Sequence, residues 1–164
     1  NSVITSRQQK KLIVYHIPGH RAIDFMNGNE YYFKADSALL SNEVLQNLHV
    51  NPARILHRVH KADTLPGLLD NGNNCVFSDK KIMLVDSSLV FAPASSKIKV
   101  DLLIISGNAR LSIAQLQEIF DCPQIVVDGF NPPWKVDKWR IDCEKRHLAC
   151  HCVVDKGAFV MPLP

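Results

Sequence analysis

The stretch 100–129, VDLLIISGNARLSIAQLQEIFDCPQIVVDG, constrains this chain more than any other. It reads as an apolar strand from Val100 to Ile105, a polar turn at Ser106-Gly107-Asn108-Ala109, an amphipathic helix and a second apolar strand over Gln124 to Val127. Ser112 with Gln115 three residues on forms a capping box, and Ile113, Leu116 and Phe120 make the buried stripe. Strand, helix and strand in that order predict a right-handed parallel crossover. In open α/β sheets chemistry collects at the carboxyl ends of such strands, so the turn Ser106–Ala109 is the first place to look for a site.

A second crossover is expected next, with Asn131 as cap, Pro132 at the first helical position and a helix to about His147 whose inner face is Val136, Trp139 and Cys143. Leu148 to Val154, a turn at Asp155-Lys156-Gly157 and Ala158 to Met161 then read as a closing hairpin. Upstream, Lys11 to Ile17 ends in Pro18-Gly19, and Arg21 to Met26 alternates, with Ala22, Asp24 and Met26 on one face. Asn27-Gly28 predicts a hairpin to Glu30–Ala35, so the first third is an antiparallel meander. Ser37 to Val50 has helical spacing, capped by Ser37 or Ser41 and ended by Asn51-Pro52. Arg54 to His60 reads as a short strand, Lys61 to Asn74 as a loop and Lys81 to Val85 as a buried strand. The fold class is α/β (α+β), with mixed sheets.

At 164 residues, with 46% hydrophobic and 21% charged residues, the chain fits a single domain over 11–164 after a disordered or linker segment over 1–10. No apolar run nears the roughly 20 residues needed to span a bilayer, and the N-terminus lacks the apolar stretch of a secretory signal. Nineteen Lys and Arg against sixteen Asp and Glu leave +3, which permits a nucleic-acid partner without requiring one. Five cysteines argue against a disulfide framework. Cys150 and Cys152, alternating along a strand, are expected on opposite faces and thus unable to chelate together.

The residues offer three chemistries. A metal site wants converging ligands, but there is no Cys-x-x-Cys or His-x-His-x-Asp-His cluster, and His57 and His60 are expected on opposite faces of a strand. Ser87, Ser88 and Ser106 sit in no nucleophile elbow, while Asp36, Asp86, Asp101 and Asp128 lie in or after strands, where they serve hydrolysis or cap turns. The helix from Trp134 mixes rings with Lys135, Lys138, Arg140, Lys145 and Arg146, a pattern of single-stranded nucleic-acid surfaces. It is also the pattern of a helix anchored by Trp139 with a solvated charged face.

Read as one line, residues 100–163 resemble the carboxyl-terminal region of ComEC-type competence proteins, in the Bacteroidetes branch. Asn131-Pro132 with Trp134-Lys135, Asp142-Cys143 and Lys156-Gly157-Ala158-Phe159-Val160 carry the likeness, together with IPGHRAIDFMNGNEYYF upstream. The resemblance implies a truncated metallo-β-lactamase-like domain belonging to a polytopic bacterial inner-membrane protein of DNA uptake. Family members with an intact site carry His-His-Gly-Ser where this chain has Ser106-Gly107-Asn108-Ala109, and Asn-x-Tyr-x-His-Pro where it has Asn131-Pro132-Pro133-Trp134-Lys135. By that comparison Ser106, Gly107, Asn108, Asp128 and Asn131 mark a vestigial site with no metal, no cofactor and no catalytic residue.

Three functions stay open at this point. One is a non-catalytic domain that packs on the rest of the membrane protein or guides single-stranded DNA over Trp134, Lys135, Lys138, Arg140 and Arg146. The second is a metal-dependent hydrolase rebuilt on His57, His60, Asp36, Asp86 or Asp128. The third is a protein-interaction module without DNA contact.

Overall fold

The computed structural model describes residues 9–93 and 95–164. The linker expected over 1–10 falls mostly outside the described residues, and Lys10 already belongs to the first strand. Strands β1 (Lys10–Val14), β2 (Ala22–Asn27) and β3 (Glu30–Ala35) form the meander, turning through Gly28 at φ 65°. Strand β4 (His60–Lys61) pairs parallel with β3 and completes one side of this sheet. The second sheet begins with β5 (Leu68–Asn71), β6 (Asn74–Phe77) and β7 (Lys80–Val85), joined as antiparallel neighbours. It continues in parallel through β9 (Leu102–Ile105) and β11 (Ile125–Val127) to β12 (Cys150–Cys152). The short pair β8 (Ile98–Lys99) and β10 (Phe120–Asp121) stands apart.

Both crossovers exist: α4 (Ile113–Ile119) links β9 to β11, and α5 (Pro133–Lys145) links β11 to β12. The Ser112–Gln115 capping box starts α4. The two sheets face each other. Leu12, Val14, Ile23 and Phe25 of the first meet Phe77, Ile82, Leu84 and Ile104 of the second. Phe25 and Phe77 touch edge to face with centroids 5.4 Å apart. Strand β9 shows how one sheet serves two cores: Leu102 and Ile104 face the other sheet, while Leu103 and Ile105 pack with Leu116 and Trp139 of the helices. Helices α1 (Ser37–Leu40), α2 (Glu43–His49) and α3 (Asn51–His57) cover the outer face of the first sheet, burying Leu39 and Val50 on Ala22 and Met26. The result is helix, sheet, sheet, helix.

Several local expectations are corrected. The helix expected over Ser37–Val50 is broken at Ser41-Asn42, because Asp36 and Asn42 each cap a helix of their own. The strand expected over Arg54–His60 is helical through His57. Pro52 sits in the first turn of α3, where its missing N–H costs nothing, so it opens a helix instead of ending one. The presumed loop 61–74 contains β5, whose Asn71-Gly72-Asn73-Asn74 tip is a hairpin turn. The closing hairpin does not form. Strand β12 lies parallel to β11, α6 (Val153–Lys156) makes one turn, and β13 (Phe159–Pro162) crosses to the first sheet beside β1. Cys150 and Cys152 share a face, as residues two apart on a strand must, with sulfurs 4.0 Å apart.

Asp24 reveals why the α3 segment is helical. It is fully buried in the otherwise apolar row of Ala22 and Met26, and Arg54 reaches it from α3 with two hydrogen bonds of 3.1 and 3.0 Å. Tyr15 donates a third at 2.8 Å. The Arg54 guanidinium is stacked 4.1 Å from the Tyr31 ring centroid and 4.4 Å from that of Phe33.

Candidate functional site

Three parallel strands end side by side in polar residues. Val85, Ile105 and Val127 are register partners, so the next residues, Asp86, Ser106 and Asp128, form a row at the carboxyl edge of the second sheet. The turn between β1 and β2 folds over that row. Its Gly19 N–H bonds Gly129 O at 2.9 Å, and Gly129 must lack a side chain because a Cβ there would lie 2.5 Å from Ile17 O. This brings Arg21 into the row. Its Nε donates to Ser106 Oγ at 2.8 Å, its outer nitrogen lies 3.9 Å from Asp86 Oδ2, and its carbon stands 5.7 Å from the Phe130 ring centroid. Gly107, at φ 85°, leaves room for the guanidinium: a Cβ would stand 3.0 Å from it.

Asp36, at the end of β3, accepts from the Arg21 N–H at 2.8 Å and pairs with His20 Nδ1 at 2.9 Å. Burial alone would raise the Asp36 carboxyl, but His20 and the Arg21 and Leu39 N–H groups outweigh it and hold the group below its ordinary range. Asp86 behaves alike: burial opposes, while Ser88, Asn73 and Arg21 prevail and lower it. Asp128 differs. It is 1% exposed, and burial pushes its carboxyl up to about 7 despite Ser106, the Phe130 N–H and Arg21. Its Oδ1 accepts from Phe130 N and Asn131 Nδ2, whereas Oδ2 has no hydrogen-bond partner among the described residues.

Of the residues expected here, Ser106, Gly107, Asn108, Asp128 and Asn131 do lie together. Asn131 does not cap α5, which Pro132 precedes. Its amide instead ties Ile105 O, Asp128 O and the Asn108 N–H into one turn. His57 and His60 are elsewhere, at the end of α3 and on β4, with His57 Nδ1 3.3 Å from Lys11 Nζ. No group of three or more His, Cys, Asp or Glu among the described residues can hold an ion, and a permanent cation, Arg21, is seated among the acceptors. Arg21 and His20 escaped the sequence reading. Their signal was a pair of basic residues directly after a Pro-Gly turn.

The nucleic-acid candidates separate. Trp134, 65% exposed, lines a groove of about 440 Å³ with Lys135, Lys138 and the unanticipated Arg110. Lys135 Nζ bonds Asn108 Oδ1 at 2.6 Å and lies 5.5 Å from the Trp134 ring, so the groove starts where the sheet-end turn stops. Trp139 is buried and donates to Leu111 O. Arg140 is held between Asp137 and Asp155, and Arg146 bonds Gln117, so neither belongs to that groove.

Paired mixed sheets with helices outside both, and polar residues gathered at the strand ends, define a metallo-β-lactamase-like α/β domain. A family model described as the ComEC C-terminal domain matches residues 12–163, and the chain belongs to that family. It is thus part of a competence DNA-uptake protein. No curated protein and no solved structure matches it. No helix among the described residues is long and apolar enough to cross a membrane.

Proposed function

We propose that this is a non-catalytic domain of a ComEC-type protein of the Bacteroidetes branch, held outside the bilayer of the bacterial inner membrane, and that it guides single-stranded DNA along the groove between Arg110 and α5. The observation that carries the reading is the convergence of an exposed indole with Arg110, Lys135 and Lys138. A ring and cations in one channel suit stacked bases and a tracked phosphate backbone. Arg21 supports the non-catalytic part, since it neutralises at the sheet edge the acceptors that would otherwise attract a metal ion. Fluorescence anisotropy with labelled single-stranded DNA tests the proposal. Salt-dependent binding, weakened by Lys135→Ala with Lys138→Ala, is the expected result. Binding that is absent leaves the protein-interaction reading in its place.

One observation favours a second reading, a rebuilt hydrolase. A carboxyl near neutrality with a free oxygen matches two properties of a general base, and Asp128 has both, its Oδ2 having no hydrogen-bond partner among the described residues. Divalent-dependent cleavage of a DNA oligonucleotide, abolished in Asp128→Asn, would establish it.

A further inference from the structure

The outer face of the first helical layer is unlike the rest of the surface. Leu40 (51% exposed), Val44 (68%), Leu48 (67%), Ile55 (78%) and Leu56 (77%) all turn outward within 17 residues. No other element carries more than two exposed large apolar residues among the described residues, the pair being Trp134 and Ile141 on α5. The inner side of the same helices is already filled, with Leu39 and Val50 on the sheet and Arg54 on Asp24, so the outward residues are not needed for the core. An apolar patch of this kind marks an interaction surface.

Its margin identifies the partner. Between positions 37 and 61 the single acidic residue is Glu43, whereas Arg58, His60 and Lys61 border the ridge beside Ile55. A cavity of about 600 Å³ beside Ile55 is walled by Arg58, His60 and Lys61. Against a second copy, a two-fold contact would set this basic margin against itself. Apolar side chains bordered by cations fit an interface between acyl chains and anionic headgroups. Membership in a membrane protein's domain family supplies a bilayer within reach. We infer that the outer face of α1–α3 rests on an anionic lipid surface, with Ile55 and Leu56 entering the headgroup boundary. The opposite helical layer, which carries the Trp134 groove, then faces away from the bilayer. The inference uses a different face from the DNA proposal, so either stands without the other.

Co-sedimentation with vesicles of phosphatidylcholine, alone or mixed with phosphatidylglycerol, tests it on the whole chain. The expected result is retention on the phosphatidylglycerol vesicles, falling by about tenfold or more in Ile55→Asp with Leu56→Asp, with an unchanged circular dichroism spectrum. Leu69→Asp, at a 65% exposed position on β5, and Lys135→Ala with Lys138→Ala should retain full binding. The inference is overturned by absence of retention, by retention indifferent to the Ile55 and Leu56 changes, or by retention that the lysine changes abolish. A dimer in sedimentation velocity that the paired Asp substitutions dissociate, without vesicle binding, would overturn it in favour of self-association.

Discussion

Arg21 donates to the Ser106 hydroxyl across 2.8 Å, from a turn of one sheet to the strand end of the other. The side chain is 17% exposed, so its charge is only partly screened. Arg21→Ala leaves Ser106 and Asp86 without this partner and should cost about 1–3 kcal/mol of unfolding free energy in urea titration. Arg21→Lys should recover little, because a point cation cannot reproduce the planar fork.

The Asp24–Arg54 pair supports a sharper expectation. Arg54→Met strands a carboxylate in the core and should destabilise the domain by about 3–5 kcal/mol. Adding Asp24→Leu removes that charge and should return part of the loss. A double-mutant cycle by chemical denaturation measures the coupling, and strictly additive losses would contradict the burial argument.

For Asp128 the direction with pH follows from the raised carboxyl. In the folded protein it keeps its proton until about pH 7, whereas the unfolded chain loses it near the ordinary value of 3.8. Its favourable contribution is complete below the unfolded value and is lost as pH rises toward 7. Compared with Asp128→Asn, the wild type should therefore lose stability between about pH 4 and 7, on the order of a few kcal/mol. Urea denaturation of both proteins at pH 5 and pH 8 reads the difference, in which the shared behaviour of Asp36 and Asp86 cancels.

In the groove, Trp134→Ala should weaken single-stranded DNA binding by about 1–3 kcal/mol with little effect on the salt slope. Lys135→Ala with Lys138→Ala should instead flatten the dependence on salt by roughly 0.7 per cation lost. Arg140→Ala and Arg146→Ala should change affinity little, since their partners are Asp137, Asp155 and Gln117.

The crossover around residues 100–129 was legible because its signals are local: a capping box, a 3.6-residue stripe, a run of doubly buried Leu and Ile. The polar row at the sheet edge was half legible. Ser106 and Asp128 follow recognisable strands, but nothing near Arg21 in sequence says that it crosses 85 positions to meet Ser106. The same limit hid α3. Its RILHRVH looks strand-like by itself, and the helix that Pro52 opens is held on the sheet by Arg54 reaching the distant Asp24. The partition of Arg140 away from Trp134 also depended on a distant residue, Asp155.

The crossing of β13 to β1 has a mechanical consequence. Lys11 stands opposite Pro162 and Val14 opposite Phe159, so residue 10 and residue 163 emerge at the same end of the ladder. Tension between those two points loads the rungs one at a time, as a zipper opens, instead of shearing them together. Force applied at those two points would peel β13 away first, while the sheet that carries Asp86, Ser106 and Asp128 lies off the line of force.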